Sequence, residues 1–295
     1  MPENERPRGD TLHGMDKSGQ DDVINRWNNS APYWEKHRDT IRQMFAPVSE
    51  ALIQDAEVTS GSSVLDVATG PGEPALRVAE VVGPQGKIVG IDPIPGMIDA
   101  SRREATRLSL KNAQFEVAGA DSLPFPDDCF DGVISRFGVM FFPAPTAGIR
   151  EMLRVLKTRG RMALAVWHFA DDNPFHCSLS RIVNRFVPEP PLSPDAPDAF
   201  RFAHPGKLRS VMTEARVREV SERLFRFSID ISMSGEDYWN LRMEMSEKLR
   251  QRLAALPPSA LAELKQQALE EIRTYSNETG VSFPAEVLIV SGRKA

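Results

Sequence analysis

Two carboxylates and a glycine turn are the residues best placed to do chemistry. Val64 to Pro74 read Val-Leu-Asp-Val-Ala-Thr-Gly-Pro-Gly-Glu-Pro, an apolar run that carries Asp66 and breaks at Gly70-Pro71-Gly72. A second apolar run, Lys87-Ile88-Val89-Gly90-Ile91, ends in Asp92, 20 residues past Gly72. Glycines let a backbone approach a ligand closely, and a carboxylate closing the second strand can accept both hydroxyls of a ribose. The unit therefore reads as a strand, glycine loop, helix, strand and acid that bind a nucleoside-bearing ligand. The bland alternatives are an Asp66 that caps the following helix and an Asp92 that serves a turn.

These residues need a scaffold, and the pattern around them supplies one. From Val64 onward short apolar runs at 63–67, 87–91, 113–118, 130–135 and 161–167 alternate with helical faces such as Leu76/Ala79/Val82 and Ile149/Met152/Leu153/Leu156. That alternation predicts an α/β doubly wound, Rossmann-like sheet, mostly parallel with an antiparallel last strand. Val23 to Ile53 has helical spacing and forms an N-terminal cap. After Trp167 the alternation gives way to a Pro-rich stretch. A helix at 205–215, a strand at 217–231, a helical stretch at 235–275 and a last strand at 285–291 follow. Ser234, Asp237 and Ser259 are candidate helix caps. The expected organisation is a disordered leader at 1–20, a helical cap at 21–55 and one domain at 56–295 with lid insertions at 170–204 and 232–280. In such sheets ligands sit beyond the carboxyl ends of the strands.

Composition narrows the partners. The 295 residues are 41% hydrophobic and 26% charged, with a formal charge of −5. That balance argues against a broad nucleic-acid surface. No apolar run approaches the roughly 20 residues of a membrane span, and two cysteines, Cys129 and Cys177, suggest a reducing compartment. A cytoplasmic enzyme, monomer or homodimer, is expected. The five histidines are His13, His37, His168, His176 and His204. They do not cluster as metal ligands do, so no metal is expected. His168 directly follows the fifth strand and is the tentative acid/base candidate; its other reading is a loop histidine bonded to backbone.

The cofactor can be narrowed by charge. A pyrophosphate disfavours a nearby carboxylate, whereas a ligand with an ammonium and a sulfonium welcomes one. The third glycine of the dinucleotide pattern is also missing, its place taken by Ala75. Both facts favour S-adenosylmethionine over NAD. At this point the chain resembles the class I S-adenosylmethionine-dependent methyltransferases, in particular the ubiquinone/menaquinone-biosynthesis methyltransferase group. The resemblance rests on Val64–Gly72, Val89-Gly-Ile-Asp-Pro93 with Met97, Leu123-Pro-Phe-Pro126, Phe130–Gly138 and Met152–Leu156, in order and spacing.

The resemblance implies roles residue by residue. Asp66 and the backbone of Ala68, Gly70 and Gly72 would hold the methionine part, Asp92 the ribose, and Met97 the adenine face. Gly119 and Ala120 would lie at the adenine edge, Arg136 and Phe137 beside the methionine end, and Trp34 in an aromatic cap over the cofactor. Gly119 departs from the family pattern, which often places an acid or amide there; Asp121 is the candidate substitute. Arg136 stands where small or polar residues are common. It reads either as a helix-end arginine or as a partner for a carboxylate. Phe141, Trp167, Tyr238 and Trp239 would wall a pocket for an apolar or aromatic acceptor, or else are plain core. The expected activity is methyl transfer to a small molecule by in-line displacement. The alternatives are a non-catalytic S-adenosylmethionine-binding module and an NAD-dependent oxidoreductase.

Overall fold

The computed structural model describes residues 17–189, 193 and 195–295. Its strands are β1 (Ser63–Val67), β2 (Lys87–Asp92), β3 (Ala113–Val117), β4 (Phe130–Arg136), β5 (Leu156–Trp167), β6 (Arg218–Ile231), β7 (Ser276–Asn277) and β8 (Gly280–Arg293). They form one sheet in the order β3-β2-β1-β4-β5-β8-β6, with β7 paired to β8. The first five pair in parallel, and β8 runs antiparallel between β5 and β6. The chain steps outward from β1 through β2 to β3, then returns to start β4 on the other side of β1. That reversal is a topological switch point, where open α/β sheets form ligand crevices.

The helices are α1 (Lys17–Lys36), α2 (Arg38–Asp55), α3 (Ala75–Val82), α4 (Pro95–Arg107), α5 (Pro145–Val155), α6 (Pro174–Phe186), α7 (Lys207–Glu214), α8 (Gly235–Met245), α9 (Glu247–Ala254) and α10 (Pro258–Arg273). Proline opens α4, α5, α6 and α10. Its fixed φ suits a first turn, and its missing N–H is one that the turn leaves unpaired anyway. Ser234 caps α8 by accepting from Asp237 N, whereas the residue before α10 is Pro257 and Ser259 lies inside that helix. Lys17 to Gln20, read as leader, belong to the first turns of α1; the rest of that leader, with His13, lies outside the described residues.

Burial follows from parallel pairing. Val64, Leu65 and Val67 of β1 and Val133 and Ile134 of β4 are essentially inaccessible, because helices cover both faces of the sheet. α2 packs across β4, β5 and β6, and α6 packs on β8 and α10. α1 lies against α4 on one side and against α8 and α9 on the other. Polar contacts fasten it there: Asn29 donates to Glu247 at 2.8 Å, and Lys36 Nζ and His37 Nε2 both meet Glu244. The N-terminal cap and the C-terminal lid thus close over the same strand edge. No described helix is long and apolar enough to cross a membrane.

Candidate active site

A cavity of about 340 Å³ opens at the carboxyl ends of β1, β2, β4 and β5, within the range of small-ligand sites. Its floor is the loop after β1. Ala68, Gly70 and Gly72 have φ of 61°, 57° and 107°. The left-handed backbone costs a glycine little and turns the chain sharply from strand to helix. The loop also passes very close to the one after β4. A Cβ on Gly138 would lie 2.5 Å from the Ala68 Cβ and 2.7 Å from Ser135 Oγ. Glycine at 138 is therefore required by the contact between the two loops.

Asp92 ends β2 on the cavity wall and is 7% exposed. Gly70 N donates to its Oδ2 and Ile94 N to its Oδ1, each at 3.0 Å. Burial pushes its carboxyl up to about 6, against the pull of those two backbone N–H groups. Each oxygen retains a lone pair for a ligand hydroxyl.

Asp66 is placed differently from the direct ligand contact expected of it. It is fully buried beneath the loop and not part of the cavity wall. Its Oδ2 accepts from Thr69 Oγ1 at 2.7 Å and from Ala75 N, the first residue of α3, at 3.2 Å. Burial raises its carboxyl to about 7, and its Oδ1 is buried without a partner. The helix-capping reading of Asp66 is thus visible in the geometry, together with one spare acceptor atom. Gly72 likewise shapes the loop without lining the cavity; a side chain there would meet Leu76 Cδ1 at 2.9 Å.

The cavity wall does include Trp34, Ala68, Gly70, Met97, Gly119, Ala120, Arg136, Phe137, Phe141 and Trp167. Met97 packs with Ala31 and Ile94, against which Trp27 and Trp34 rest. Asp121 is also on the wall, and its Oδ1 lies 2.7 Å from where a Cβ on Gly119 would stand. Its carboxylate therefore reaches the space that a side chain at 119 would fill. Arg136 is buried and its guanidinium is spent on protein: Nη1 donates to Ser49 Oγ at 2.8 Å and Nη2 to Glu73 O at 3.2 Å. It ties α2 to the glycine loop.

Beyond the loop the wall turns aromatic. Phe137 and Trp167 stack at 4.4 Å with planes 6° apart, and Phe45 meets both edge-on. Trp27 of α1 meets Phe141 edge-on at 5.4 Å, so the cap and the loop after β4 share one aromatic contact.

Besides Asp66 and Gly72, three more expected site residues lie off the cavity. His168 Nδ1 sits 2.9 Å from Glu286 Oε2 and 3.1 Å from Asp172 Oδ2, away from the wall. Tyr238 is wholly enclosed and donates to Phe175 O at 3.1 Å. Trp239 is core. Tyr238 packs against Phe175 of α6 and Phe283 of β8. The His168, Asp172 and Glu286 atoms lie within 4.8 Å of one another, a grouping with metal-ligand chemistry that the sequence separation concealed. Here a hydrogen bond joins His168 to Glu286, Asp172 stands beside the same ring nitrogen, and Arg226 holds the other Glu286 oxygen at 2.7 Å. In place of the expected residues the lid and α6 bring Arg242 and His176 to the wall. Neither carries a motif; a cation and a histidine on otherwise apolar helix faces were the available signals.

The sheet order, the left-handed loop at the switch point and the buried acid that closes β2 define a Rossmann-like domain with a cavity at its switch point. Comparison with known proteins makes the class specific. The chain matches, over residues 58–185, the family described as a methyltransferase domain. It is 36% identical over 121 residues to the aklanonic acid methyltransferase of Streptomyces sp. (strain C5), covering 41% of this chain and 55% of that protein. It is 40% identical over 107 residues to the ubiquinone/menaquinone biosynthesis C-methyltransferase of Geobacter sulfurreducens, covering 36% and 42%. The chain thus spans about half the length of the curated relatives it matches. The YcgJ protein of Bacillus subtilis has the same fold, with a TM-score of 0.54 at 20% identity over 83% of this chain and 97% of that one.

Proposed function

We propose that this chain transfers a methyl group from S-adenosylmethionine to a small apolar or aromatic molecule. The observation that carries the reading is Asp92. It is a buried carboxylate on the cavity wall, oriented by two backbone N–H groups beside a left-handed glycine loop, in a domain of the methyltransferase family. The residues present fit the cofactor. Asp92 offers two acceptor atoms to a ribose, Met97 an apolar face to a purine, and Asp121 an acceptor at the purine edge. The unpartnered Asp66 Oδ1 is a buried polar atom below the loop that a ligand ammonium, directly or through a water, would complete.

When bound, S-adenosylmethionine supplies a methyl group already activated on a sulfonium. What remains for the protein is alignment and exclusion of water. Gly70 and Gly72 fix the loop; Arg136 holds that loop to α2; Trp27, Trp34 and Phe141 cover the cavity. The stacked Phe137 and Trp167 present an apolar surface at the acceptor end, and aromatic faces also steady positive charge. His168 has no place in this scheme, since its ring is held by Glu286 and Asp172 away from the cavity. The NAD alternative is disfavoured by Asp66 and the missing third glycine.

Calorimetry with S-adenosylhomocysteine and with NAD tests the reading. Wild type should bind the first and not the second. Asp92→Ala, which removes two hydrogen bonds to a charged acceptor, should weaken binding by about two orders of magnitude. Unchanged affinity in Asp92→Ala would remove the central support. S-adenosylhomocysteine formed from S-adenosylmethionine in the presence of a small aromatic acceptor separates an enzyme from a binding module.

A further inference from the structure

The cavity wall beyond the glycine loop is not uniformly apolar. Arg242 of α8 lines the cavity, yet it is only 7% exposed. Its guanidinium carbon stands 4.3 Å from the Phe175 ring centroid. Its Nε is buried without a hydrogen-bond partner, and no carboxylate pairs with it among the described residues. Burial depresses its basicity, and the nearest opposing influence is the Tyr238 hydroxyl, which is already donated to Phe175 O. Beside it on the wall is His176, packed edge-on against Trp167 at 4.4 Å. Its Nε2 is also buried and unpartnered, and burial together with Arg242 holds the ring well below its ordinary range. At neutral pH it is therefore a neutral imidazole beside a desolvated cation.

A buried cation without a counter-ion costs stability unless something completes it. The two residues come from separate lid elements, α6 and α8, and meet only at this cavity. We infer that the methyl acceptor is an apolar, aromatic-sized molecule bearing an anionic oxygen group, a carboxylate or an ionised acidic hydroxyl, which Arg242 pairs with and His176 hydrogen-bonds. The word acceptor rests on the methyl-transfer reading; the anion site itself does not. Trp167 and Phe175 flank the pair and would enclose the apolar body of the ligand. Charge-assisted hydrogen bonds in a desolvated site are about twice as strong as neutral ones. The site therefore selects an acid over its neutral analogue.

The test uses 2-naphthoate and its isosteric neutral partner, 2-naphthamide, titrated into the full chain with and without S-adenosylhomocysteine. Wild type should bind the carboxylate at least about tenfold more tightly than the amide. Arg242→Gln should abolish that preference while retaining its affinity for S-adenosylhomocysteine, and Arg242→Lys, which keeps the charge, should retain part of it. Equal binding of the two probes to wild type, no binding of the carboxylate, or a preference that survives in Arg242→Gln would overturn the inference. Should Arg242→Gln not fold, the wild-type comparison and Arg242→Lys still decide it. Failure of S-adenosylhomocysteine binding with the naphthoate preference intact would instead count against the methyl-transfer reading.

Discussion

Asp66 offers the sharpest test of how the glycine loop is held. Its carboxyl is fully buried, and it ionises at about 7 in the fold, against an ordinary 3.8, because burial outweighs the hydrogen bonds from Thr69 and Ala75. A folded-state value above the unfolded one means that the fold binds the proton more tightly than the open chain does. The stability so contributed is fully present below about 3.8 and is lost as pH rises through about 7. Between pH 5 and pH 8 roughly two pKa units of this linkage are traversed, on the order of 2.7 kcal/mol. Asp66→Asn removes the titration. It keeps an acceptor for Thr69 and Ala75, although its amide adds a buried donor beside the unpartnered position. The variant should be less stable than wild type at pH 5 by the cost of that donor, but its stability should change less on the way to pH 8. Urea unfolding of the ligand-free protein at several pH values reads this directly. The wild-type-minus-variant difference should move by roughly 2 to 3 kcal/mol across the interval. Glu73 and Asp92 are also raised by burial, so only the difference isolates Asp66. A difference that stays flat from pH 5 to pH 8 would refute the buried-acid account of the loop.

Three further outcomes follow from the same geometry. Gly138→Ala places a Cβ 2.5 Å from that of Ala68, so thermal melts should show a loss of about 1–3 kcal/mol, and calorimetry a weakened S-adenosylhomocysteine complex, as the two loops are forced apart. Asp121→Ala should lower S-adenosylhomocysteine affinity by roughly tenfold, the worth of one hydrogen bond to a charged acceptor; an unaltered Kd would show that the carboxylate beside Gly119 does not reach the ligand. His168→Gln should leave the turnover number within about twofold of wild type, because the ring is bonded to Glu286 and Asp172 off the cavity; a loss of two or more orders of magnitude in kcat would restore it as a catalytic group.

Much of the cofactor end was legible before any coordinates. Periodicity located β1 to β4 to within a residue or two, since a parallel strand buried on both faces must be a short continuous apolar run. β5 begins five residues earlier than its apolar core, at Leu156, because Lys157 to Arg161 form its half-exposed entry. The wall positions from Ala68 to Phe137 follow from strand ends, which any chain of this topology brings to one edge. The acceptor end was not legible in the same way. Tyr238 and Trp239 looked like pocket residues, but the cavity meets α8 one turn further along the same face, at Arg242 and Met245, a choice made by where the helix crosses the cavity and not by residue type. Sequence position also misses which histidine reaches the cavity: His168 follows β5 directly, yet it is held by Glu286 of β8 and Asp172, whereas His176 of α6 lines the wall.

The glycine loop, the two acids and the strand-helix alternation were determined by the sequence alone, because backbone conformation and strand burial are local demands that particular residues meet. Which acid faces the ligand, and what the acceptor meets, were decided only by the tertiary structure. Asp66 and Asp92 have the same chemistry, but Asp66 pairs in register with Gly90, two residues short of Asp92, so one lies under the loop and the other on the wall. The desolvated Arg242 beside a neutral His176 exists only where the lid folds back onto β5, and its character comes from the burial that this packing imposes.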